Sequence, residues 1–309
     1  MLDSLHIQNY RLFKDLKIDK LGQVNLIAGK NNTGKTALLE ALRIWDSKAN
    51  INVLTNILFN RQEIINREPS NGYNLLRSTV DGIATIGDYK NNNYVRFAVD
   101  SNSKDKDKTV LLPFQNGITG DGNGYNIFKN IIYIPFSLEG ESNPKLWEHT
   151  SLTPLENDVI DILKIVVPDI QRIGFTNNKF LILRSSFPFP SPIKKLGDGA
   201  NRLFTIALAL VNAKDKILLI DEFEVGLHHS VQEQLWDIIF KYAQEWNIQV
   251  FVTTHSQDTV EKFFYVTEKV ENHGKGVFFT LNRDGENIVA LDYDREEIKL
   301  ALESNIEIR

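Results

Sequence analysis

The sequence Gly29-Lys-Asn-Asn-Thr-Gly-Lys-Thr36 is the stretch that decides the fold. It matches the pattern G-x-x-x-x-G-K-[ST] at every position, which is the pattern of a phosphate-binding P-loop. The apolar run Val24–Ala28 precedes the loop. Apolar residues at helical spacing follow it, namely Leu38, Leu39, Leu42 and Trp45. A glycine-rich loop between a strand and a helix is the context that this motif requires, so the sequence predicts a nucleotide-binding P-loop.

The composition of the loop follows from what a bound phosphate requires. Glycines let the backbone turn closely, so that successive N–H groups and the N-terminal end of the next helix face the anion. Lys35 is expected to carry positive charge to the β- and γ-phosphates, and the Thr36 hydroxyl to ligate magnesium. The sequence therefore predicts ATP and Mg²⁺ as ligands. The predicted nucleotide-binding residues of this loop are Gly29, Lys30, Asn31, Asn32, Thr33, Gly34, Lys35, Thr36 and Ala37.

A second apolar run, Ile217–Ile220, ends in the adjacent acids Asp221 and Glu222. Acids at the end of a buried strand are costly unless they face a cation or water. We expect Asp221 to hold magnesium through water, and Glu222 to act as the general base on the attacking water. An exposed acidic strand end without chemistry is the alternative for this pair taken alone.

The next predicted strand, Gln249–Val252, ends at Thr253-Thr-His-Ser256. Consecutive strands of a parallel sheet are usually neighbours, so His255 should lie at the same edge as the acids. We expect His255 to sense the γ-phosphate, although a histidine at a strand end is more often structural. The predicted catalytic residues are thus Lys35, Glu222 and His255.

Strands and helices alternate in the last third of the chain. A helix with the apolar body Leu203–Val211 should begin at Asp198 or Asn201, and a helix over 230–246 follows the acidic strand. The expected buried face of the second helix is Val231, Leu235, Ile238, Tyr242 and Trp246. This order predicts an α/β fold with a mainly parallel central sheet covered by helices.

An N-terminal antiparallel β subdomain is predicted from the alternating segments Leu5–Ile7 and Leu16–Ile18. We expect one ATPase domain over residues 1–309. It would consist of a β hairpin and P-loop (1–45), an inserted mixed subdomain (46–190), and a half with the acidic strand and His255 (191–309). Within the insertion, residues 46–130 are expected to hold a helical stretch followed by a small antiparallel sheet.

Composition limits the partners and the compartment. The chain has 35 Lys and Arg against 40 Asp and Glu, a net charge of −5, so any DNA contact would need a local basic patch or a partner. It has no cysteine, which excludes disulfides and thiolate metal sites and fits a reducing cytoplasm. The N-terminus does not read as a signal peptide, and no apolar run approaches the ~20 residues of a membrane span. We expect a cytoplasmic protein.

The order of motifs separates the P-loop classes. The distance from the P-loop to Asp221 is too long for a small GTPase-like domain, and Leu196-Gly-Asp-Gly-Ala-Asn-Arg202 opens the helix before the acidic strand. The chain resembles the ABC-type ATPases, including their SMC and DNA-repair branch. Within that group it is most similar to the OLD-type ("overcoming lysogenization defect") ATPases and their small relatives in bacterial defence systems. The residues that carry this resemblance are Ala28–Thr36, Leu196–Gly199, Asp221–His228, Thr253–Ser256, Ile7–Phe13 and Asn305–Arg309.

The resemblance implies a homodimer that holds two ATP molecules between its subunits. In it, the signature residues of one chain complete the nucleotide site of the other, and these are Leu196, Gly197, Asp198, Gly199 and Arg202. Three departures stand out. Gly197 occupies the position of the transporter serine, His228 occupies that of an aspartate, and no Gln-loop can be assigned, with Gln62 and Gln115 as candidates. A dimer contact is the expected role of His228.

The resemblance also suggests what the ATPase is for. OLD-type proteins carry a TOPRIM nuclease domain after the ATPase, and too few residues follow His255 for another domain of ordinary size, about 100–150 residues. We therefore expect a stand-alone ATPase that gates a separately encoded effector, with a TOPRIM-like nuclease as the leading candidate, in phage defence or DNA processing. The alternatives are the nucleotide-binding subunit of an ABC transporter, against which Gly197 and the missing Gln-loop weigh, and an ATP-dependent regulator that does not contact DNA.

Overall fold

A computed structural model describes residues 1–64, 83–100, 110–114, 130–136, 142–293 and 295–304, with the single residues 76, 78 and 308. The strands are β1 Leu5–Tyr10, β2 Phe13–Ile18, β3 Val24–Ala28, β4 Ala84–Asp88, β5 Asn93–Asp100, β6 Val110–Phe114, β7 Ile131–Ile134, β8 Ile170–Thr176, β9 Lys179–Arg184, β10 Phe187–Pro192, β11 Ile217–Ile220, β12 Gln249–Thr254, β13 Gly276–Asp284 and β14 Asn287–Asp292. The helices are α1 Lys35–Asp46, α2 Ile51–Asn60, α3 Asn143–Thr150, α4 Leu155–Leu163, α5 Asp198–Val211, α6 His229–Glu245, α7 Gln257–Thr267 and α8 Arg295–Glu303. Gln115 and, apart from Ile308, the closing segment 305–309 lie outside the described residues.

The chain forms two compact units. Unit 1 comprises residues 1–21, 29–131 and 279–293, and unit 2 comprises residues 22–28, 132–278 and 294–309. Both units combine segments from distant parts of the sequence, and each contains pieces of more than one of the predicted parts 1–45, 46–190 and 191–309. The P-loop belongs to unit 1, whereas the acidic residues after β11 and the signature helix belong to unit 2.

Unit 1 is built on an antiparallel sheet with the strand order β2-β1-β4-β5-β6. The predicted hairpin is present, and the apolar residues that alternate along it face each other, with Leu5 opposite Ile18 and Ile7 opposite Leu16. All four are buried. The hairpin of β13 and β14 turns at Gly285, whose φ of 58° suits a glycine. The N-terminal antiparallel subdomain predicted from the sequence is therefore confirmed.

Helix α1 packs beside β4 in unit 1. Its apolar residues Leu38, Leu39 and Leu42 are fully buried, whereas Trp45 stays partly exposed and donates its indole N–H to the carbonyl of Asn93 at 3.0 Å. The helix begins at Lys35, so the P-loop runs directly into its first turn.

Unit 2 holds four neighbouring strands in the order β3-β12-β11-β7. Strands β3, β12 and β11 are parallel, with Ala28 opposite Thr254 and Ile220 opposite Val252. The carboxyl ends of these strands therefore lie at one edge of the sheet. Helix α5 begins at Asp198, and its body is buried as predicted. The mainly parallel sheet and its helices confirm the predicted α/β class.

The predicted buried face of α6 is partly wrong. Val231, Leu235 and Tyr242 are buried, but Ile238 and Trp246 remain half-buried. Trp236, which the periodicity did not select, is fully buried: its ring stacks on Phe223 at a centroid distance of 4.4 Å and meets Phe263 of α7 edge-on. Because α7 also packs on α6, the buried stripe is wider and rotated toward Trp236.

Unit 2 has a small antiparallel sheet over residues 170–192, in the order β10-β9-β8, whose strands were not predicted from the sequence. Phe180 of β9 contacts Phe204 of α5 at 4.7 Å and Trp147 of α3 at 6.0 Å between ring centroids. This sheet thus covers the signature helix and α3 with an aromatic cluster.

Candidate functional site

The P-loop is shaped by two glycines with different neighbours. At Gly29 (φ 154°), an added Cβ would lie 2.7 Å from the carbonyl oxygen of Leu281 and 2.7 Å from Oγ1 of Thr33. At Gly34 (φ 99°), it would lie 2.7 Å from the ring of Phe13. A side chain at Gly29 or Gly34 would therefore clash with its neighbours, and glycine is required at both positions. A loop that winds this closely can direct successive backbone N–H groups at an anion.

Lys35 is held inside this loop. Its ammonium donates to the carbonyl oxygens of Gly29 at 2.6 Å and Lys30 at 3.0 Å, and the residue is only 7% exposed. The hydroxyl of Thr33 donates to the same Lys30 carbonyl at 2.9 Å. The ammonium that the sequence predicts to bind phosphate is thus held at the loop by its own carbonyl oxygens.

The other predicted loop residues divide by exposure. Lys30, Asn31 and Asn32 are exposed, and Asn32 adopts the left-handed conformation with φ 64°. Thr36 is half-buried, and Ala37 is buried. A closely wound backbone with a buried ammonium fits a phosphate group, so the loop is suited to the ligand that its sequence predicts.

A buried charged cluster anchors α1 within unit 1. Glu40, one turn beyond Thr36, lies 3.0 Å from Nε of Arg11 and 2.7 Å from Nε of Arg61, and Arg11 makes a two-pronged contact with Glu63 at 2.8 and 3.1 Å. Burial, together with the charge of Glu40, raises the pKa of Tyr10, whose hydroxyl donates to Glu40 at 3.3 Å. No sequence motif predicts this cluster, which anchors the helix that carries Lys35 and Thr36.

Asp221 lies at the acidic edge of unit 2 and is fully buried. Thr253 donates its hydroxyl to Oδ1 of Asp221 at 2.6 Å, and the Tyr133 hydroxyl lies 3.4 Å from Oδ2. The backbone N–H of Asp221 bonds to the carbonyl of Ile134 at 2.9 Å. The carboxylate is therefore fixed at the end of β11, and carboxylate and hydroxyl oxygens are the ligands that magnesium prefers.

Glu222 adopts a left-handed backbone conformation, with φ 49°. Such a conformation is uncommon for a residue other than glycine and persists only when its surroundings hold it. Here the Glu222 N–H donates to the Thr253 hydroxyl at 2.8 Å, and the next N–H, of Phe223, donates to the Thr253 carbonyl at 3.0 Å. This turn takes the side chain of Glu222 out of the strand direction and leaves it 32% exposed, as a base that must reach water requires.

Arg202, predicted as a signature residue, is 1% exposed and bonds to backbone carbonyls of unit 2. Its guanidinium donates to Pro135 at 2.6 Å, to Asp221 at 2.7 Å and to Glu222 at 3.2 Å. Burial lowers the pKa of Arg202, and the negative charge of Asp221 opposes that shift. The first turns of α5 are in this way bonded to the backbone that carries both acids, a link between distant segments that sequence reasoning did not find.

His255 follows β12, and its ring lies beside Glu222 and Glu224. Nδ1 is 2.9 Å from Oε1 of Glu224 and 3.9 Å from Oε1 of Glu222. The structure therefore brings together Asp221, Glu222 and His255 at one edge, as predicted, and adds Thr253 and Glu224, which the sequence analysis did not select. Glu224 could have been selected from the sequence because it follows Glu222, the predicted general base, by two residues.

The signature segment begins α5 with an open turn. Leu196 ends a 3₁₀ turn and is half-buried, Gly197 has φ 93°, and both Gly197 and Asp198 are exposed. No described atom lies within 4 Å of a Cβ added at Gly197, whereas one added at Gly199 would lie 2.8 Å from the carbonyl of Gly226. The open positions are thus Gly197 and Asp198, while Gly199 is needed for contact within the same chain.

His228 caps α6 and does not join a metal cluster within the described ranges. Its Nδ1 accepts the backbone N–H of Ser230 at 3.3 Å, and its ring lies 4.1 Å from that of His229. In the part of the chain that the structure describes, no three His, Cys, Asp or Glu side chains are grouped to hold a metal ion. Nor is any helix in that part long and apolar enough to cross a bilayer.

Two family models and one curated relative match the chain. The model described as "AAA domain, putative AbiEii toxin, Type IV TA system" matches residues 100–261, and the model described as "AAA ATPase domain" matches residues 1–112. An "ATP/GTP phosphatase" of Helicobacter pylori is 25% identical, and the alignment covers 98% of each chain.

Solved structures of SMC heads share the fold. An SMC head bound to the C-terminal winged-helix domain of ScpA has a TM-score of 0.59 at 12% identity, covering 97% of this chain and 99% of that one. The SMC head domain from Thermotoga maritima has a TM-score of 0.52 at 12% identity, covering 95% and 99%. At these identities the likeness concerns the fold.

The fold and the P-loop define an AAA-type P-loop ATPase, an enzyme that hydrolyses ATP, with a fold like that of SMC heads. Because the first model matches more than half of the sequence, the chain belongs to the AAA domain family that this model describes. The predicted ATPase activity is confirmed, and the predicted likeness to SMC proteins is confirmed for the fold. The narrower OLD-type resemblance stays a prediction.

Proposed function

We propose that two copies of this chain close on two Mg²⁺–ATP molecules and that the closed dimer gates a separately encoded effector. The observation that carries this proposal is the open start of α5. A helix N-terminus with exposed residues at Gly197 and Asp198 offers uncovered N–H groups and a positive helix end to an anion supplied from outside the chain.

In this proposal each ATP takes its contacts from defined residues. The P-loop, Gly29–Ala37, binds the phosphates, with Lys35 as the mobile charge. Thr36 and Asp221 hold magnesium, which when bound offsets the negative charge of the phosphates. Glu222 accepts a proton from the attacking water, and His255 lies toward the γ-phosphate.

Arg202 takes a positioning role here. Three of its hydrogen bonds end on backbone carbonyls, two of them in the segment that holds Asp221 and Glu222. A contact made at the start of α5 by the other subunit's nucleotide would be transmitted along this rigid link to the general base. Closure of the dimer and readiness for hydrolysis would then be coupled.

The class of effector is inferred from relatives of this chain. A TOPRIM-like nuclease in phage defence or DNA processing remains our leading candidate, from the OLD-type resemblance. The description of the matched family names a putative toxin of a type IV toxin–antitoxin system. This supports the part of the proposal in which the effector harms the cell or an invader. The SMC head bound to a ScpA domain supports partner binding by this fold.

The test of dimer closure uses the exposed Asp198. Asp198→Trp adds bulk where the facing nucleotide would dock, and Asp198→Ala removes the charge without adding bulk. The loss of a favourable charge at the helix start costs only about 0.3–1 kcal/mol in either variant. We expect Asp198→Ala to dimerise with ATP like the wild type and Asp198→Trp to stay monomeric, measured by mass photometry. ATP-dependent dimers of Asp198→Trp in the wild-type proportion would contradict the proposal.

Gating is tested with the product of the gene next to this one. With a slow-hydrolysing variant and ATP, the dimer should stay closed, and the effector's activity should differ from that with wild-type protein and ADP. Equal activity in both conditions would show that the dimer does not gate that protein.

A further inference from the structure

Glu224 is a half-buried carboxylate that the mechanism above does not use. Its side chain is 12% exposed, and both oxygens have partners. Oε1 accepts the backbone N–H of His255 at 2.8 Å, and Oε2 accepts the hydroxyl of Thr254 at 2.8 Å. Hydrogen bonds to an ionised acceptor are about twice as strong as neutral ones, so these contacts tie the end of β12 to the loop after β11.

The ring of His255 lies between two carboxylates and is nearer to Glu224. The distance from Nδ1 is 2.9 Å to Oε1 of Glu224 and 3.9 Å to Oε1 of Glu222. The first is a close ion-pair distance when the ring is protonated, whereas the second is at the limit. Glu224 and the proposed general base thus face the same ring nitrogen.

A carboxylate oxygen accepts hydrogen bonds, so the distance of 2.9 Å from Glu224 favours the ring form that carries its proton on Nδ1. The partner of one ring nitrogen decides the state of the other. With Nδ1 protonated beside Glu224, Nε2 is the nitrogen left to face the nucleotide or its attacking water. At the same time, Glu222 is spared from binding the ring and keeps its carboxylate for that water.

We propose that Glu224 is a positioning residue for ATP hydrolysis: it fixes the His255 ring and keeps Nδ1 away from Glu222. This inference rests on the proposed roles of Glu222 and His255. Without Glu224, the ring is free to turn toward Glu222, and the base is then occupied by an internal partner.

A double-mutant cycle tests this role. The variants are Glu224→Ala, His255→Ala and the two combined, with Glu261→Ala as a matched control, because Glu261 is exposed on α7. We expect Glu224→Ala to lower kcat by ~10–100-fold, the usual range for an outer partner that orients a reacting group. KM for ATP should change by less than about threefold, since the P-loop supplies binding. The double variant should be no slower than His255→Ala, because groups that act as a unit are not additive.

A purely structural role for Glu224 would give a different pattern. The two substitutions would then multiply in kcat, and thermal unfolding of Glu224→Ala would account for the loss. Multiplied effects, or a wild-type kcat in Glu224→Ala, would overturn the inference. If Glu224→Ala does not fold, Glu224→Gln keeps the volume and an acceptor oxygen, and it enters the same cycle with the same expected sign.

The inference and the proposed function fail in distinguishable ways. If Glu222→Gln retains wild-type turnover, the proposed base is wrong and with it the basis for Glu224. If Glu222→Gln is inactive while Glu224→Ala is normal, the proposed function stands and the role of Glu224 is refuted.

Discussion

Helices α1 and α5 begin alike but differ in what surrounds them. Both follow a glycine with positive φ, 99° at Gly34 and 93° at Gly197, and neither has a side-chain cap among the described residues. At Gly34 an added Cβ would strike the Phe13 ring at 2.7 Å, whereas at Gly197 no described atom lies within 4 Å. One helix start is enclosed by its own chain, and the other is open.

This difference indicates how two similar helix ends can serve different ligands. The enclosed start of α1, with the buried ammonium of Lys35, is built from residues of one chain. An exposed start needs its ligand to come from elsewhere, which is what a shared site requires. The predictions below test the enclosed start, the acidic edge and then the contrast itself.

Lys35→Ala should abolish ATP binding, the largest effect we expect. The loop would lose the one side-chain ammonium bonded to its own carbonyls at Gly29 and Lys30, and with it the charge proposed to meet the phosphates. Calorimetric titration with Mg²⁺–ATP measures the affinity, and Lys17→Ala, at an exposed position of β2, is the matched control. Near-normal affinity in Lys35→Ala would show that the enclosed helix start does not bind the nucleotide.

Glu222→Gln should bind ATP normally and hydrolyse it ~10²–10⁴-fold more slowly, the usual range for loss of a general base. The amide fills the same space within the strained turn, so the φ of 49° can be kept. Phosphate release under saturating ATP gives the rate, and the larger species should accumulate with ATP in mass photometry. Turnover at the wild-type rate would remove Glu222 from the mechanism.

Glu40→Ala should destabilise the protein by about 3 kcal/mol, because the largely buried guanidinium of Arg11 loses one of its two carboxylate partners. Arg11 and Arg61 both contact this carboxylate in unit 1. Urea unfolding measures the change, and Glu245→Ala, exposed on α6, should change stability by less than about 0.5 kcal/mol. Equal stability of Glu40→Ala and wild type would mean that the cluster does not anchor α1.

The smallest expected effect is the difference between the stability costs of substituting the two glycines. Gly34→Ala and Gly197→Ala should each cost roughly 1–3 kcal/mol for the disfavoured backbone conformation. Gly34→Ala should cost a further ~1–3 kcal/mol, because its Cβ overpacks against Phe13. The free energies of unfolding decide this, and a cost at Gly197 equal to or above that at Gly34 would contradict the contrast between enclosed and open starts.

The sequence predicted the elements that carry motifs, since a P-loop and an acidic strand end have strong local patterns. It predicted α1, β11 and β12, and it placed His255 at the same edge as Asp221. It did not predict that Arg202 bonds to the carbonyl of Pro135, because backbone carbonyls have no sequence signature and the partners are far apart in the chain. The α6 face was partly wrong because α7, and not periodicity alone, decides what is buried there.

The structure also separates the two signature glycines as positions for substitution. From sequence, Gly199 and Gly197 look equivalent as signature glycines. In the structure, a Cβ at Gly199 would press on the carbonyl of Gly226 in the same chain, so a substitution there would disturb folding as well as any facing phosphate. Asp198 is exposed and tests the facing phosphate alone.

The most direct test of the central claim, that each site is shared by two chains, is the ATPase activity of mixed variants. Lys35→Ala has an intact signature helix, and Asp198→Trp has an intact P-loop, so each should be inactive alone. Because neither variant should form closed dimers by itself, the ATP-dependent dimers in the mixture pair one chain of each kind, and a two-fold interface that pairs different patches reciprocally leaves each of them one sound site of two. With independent sites, the mixture should regain up to about half of wild-type activity, one sound site of two, and mixtures of each variant with wild type report that independence. If those controls show independent sites while the two variants together stay inactive, each ATP is hydrolysed within one chain and the shared-site account is wrong.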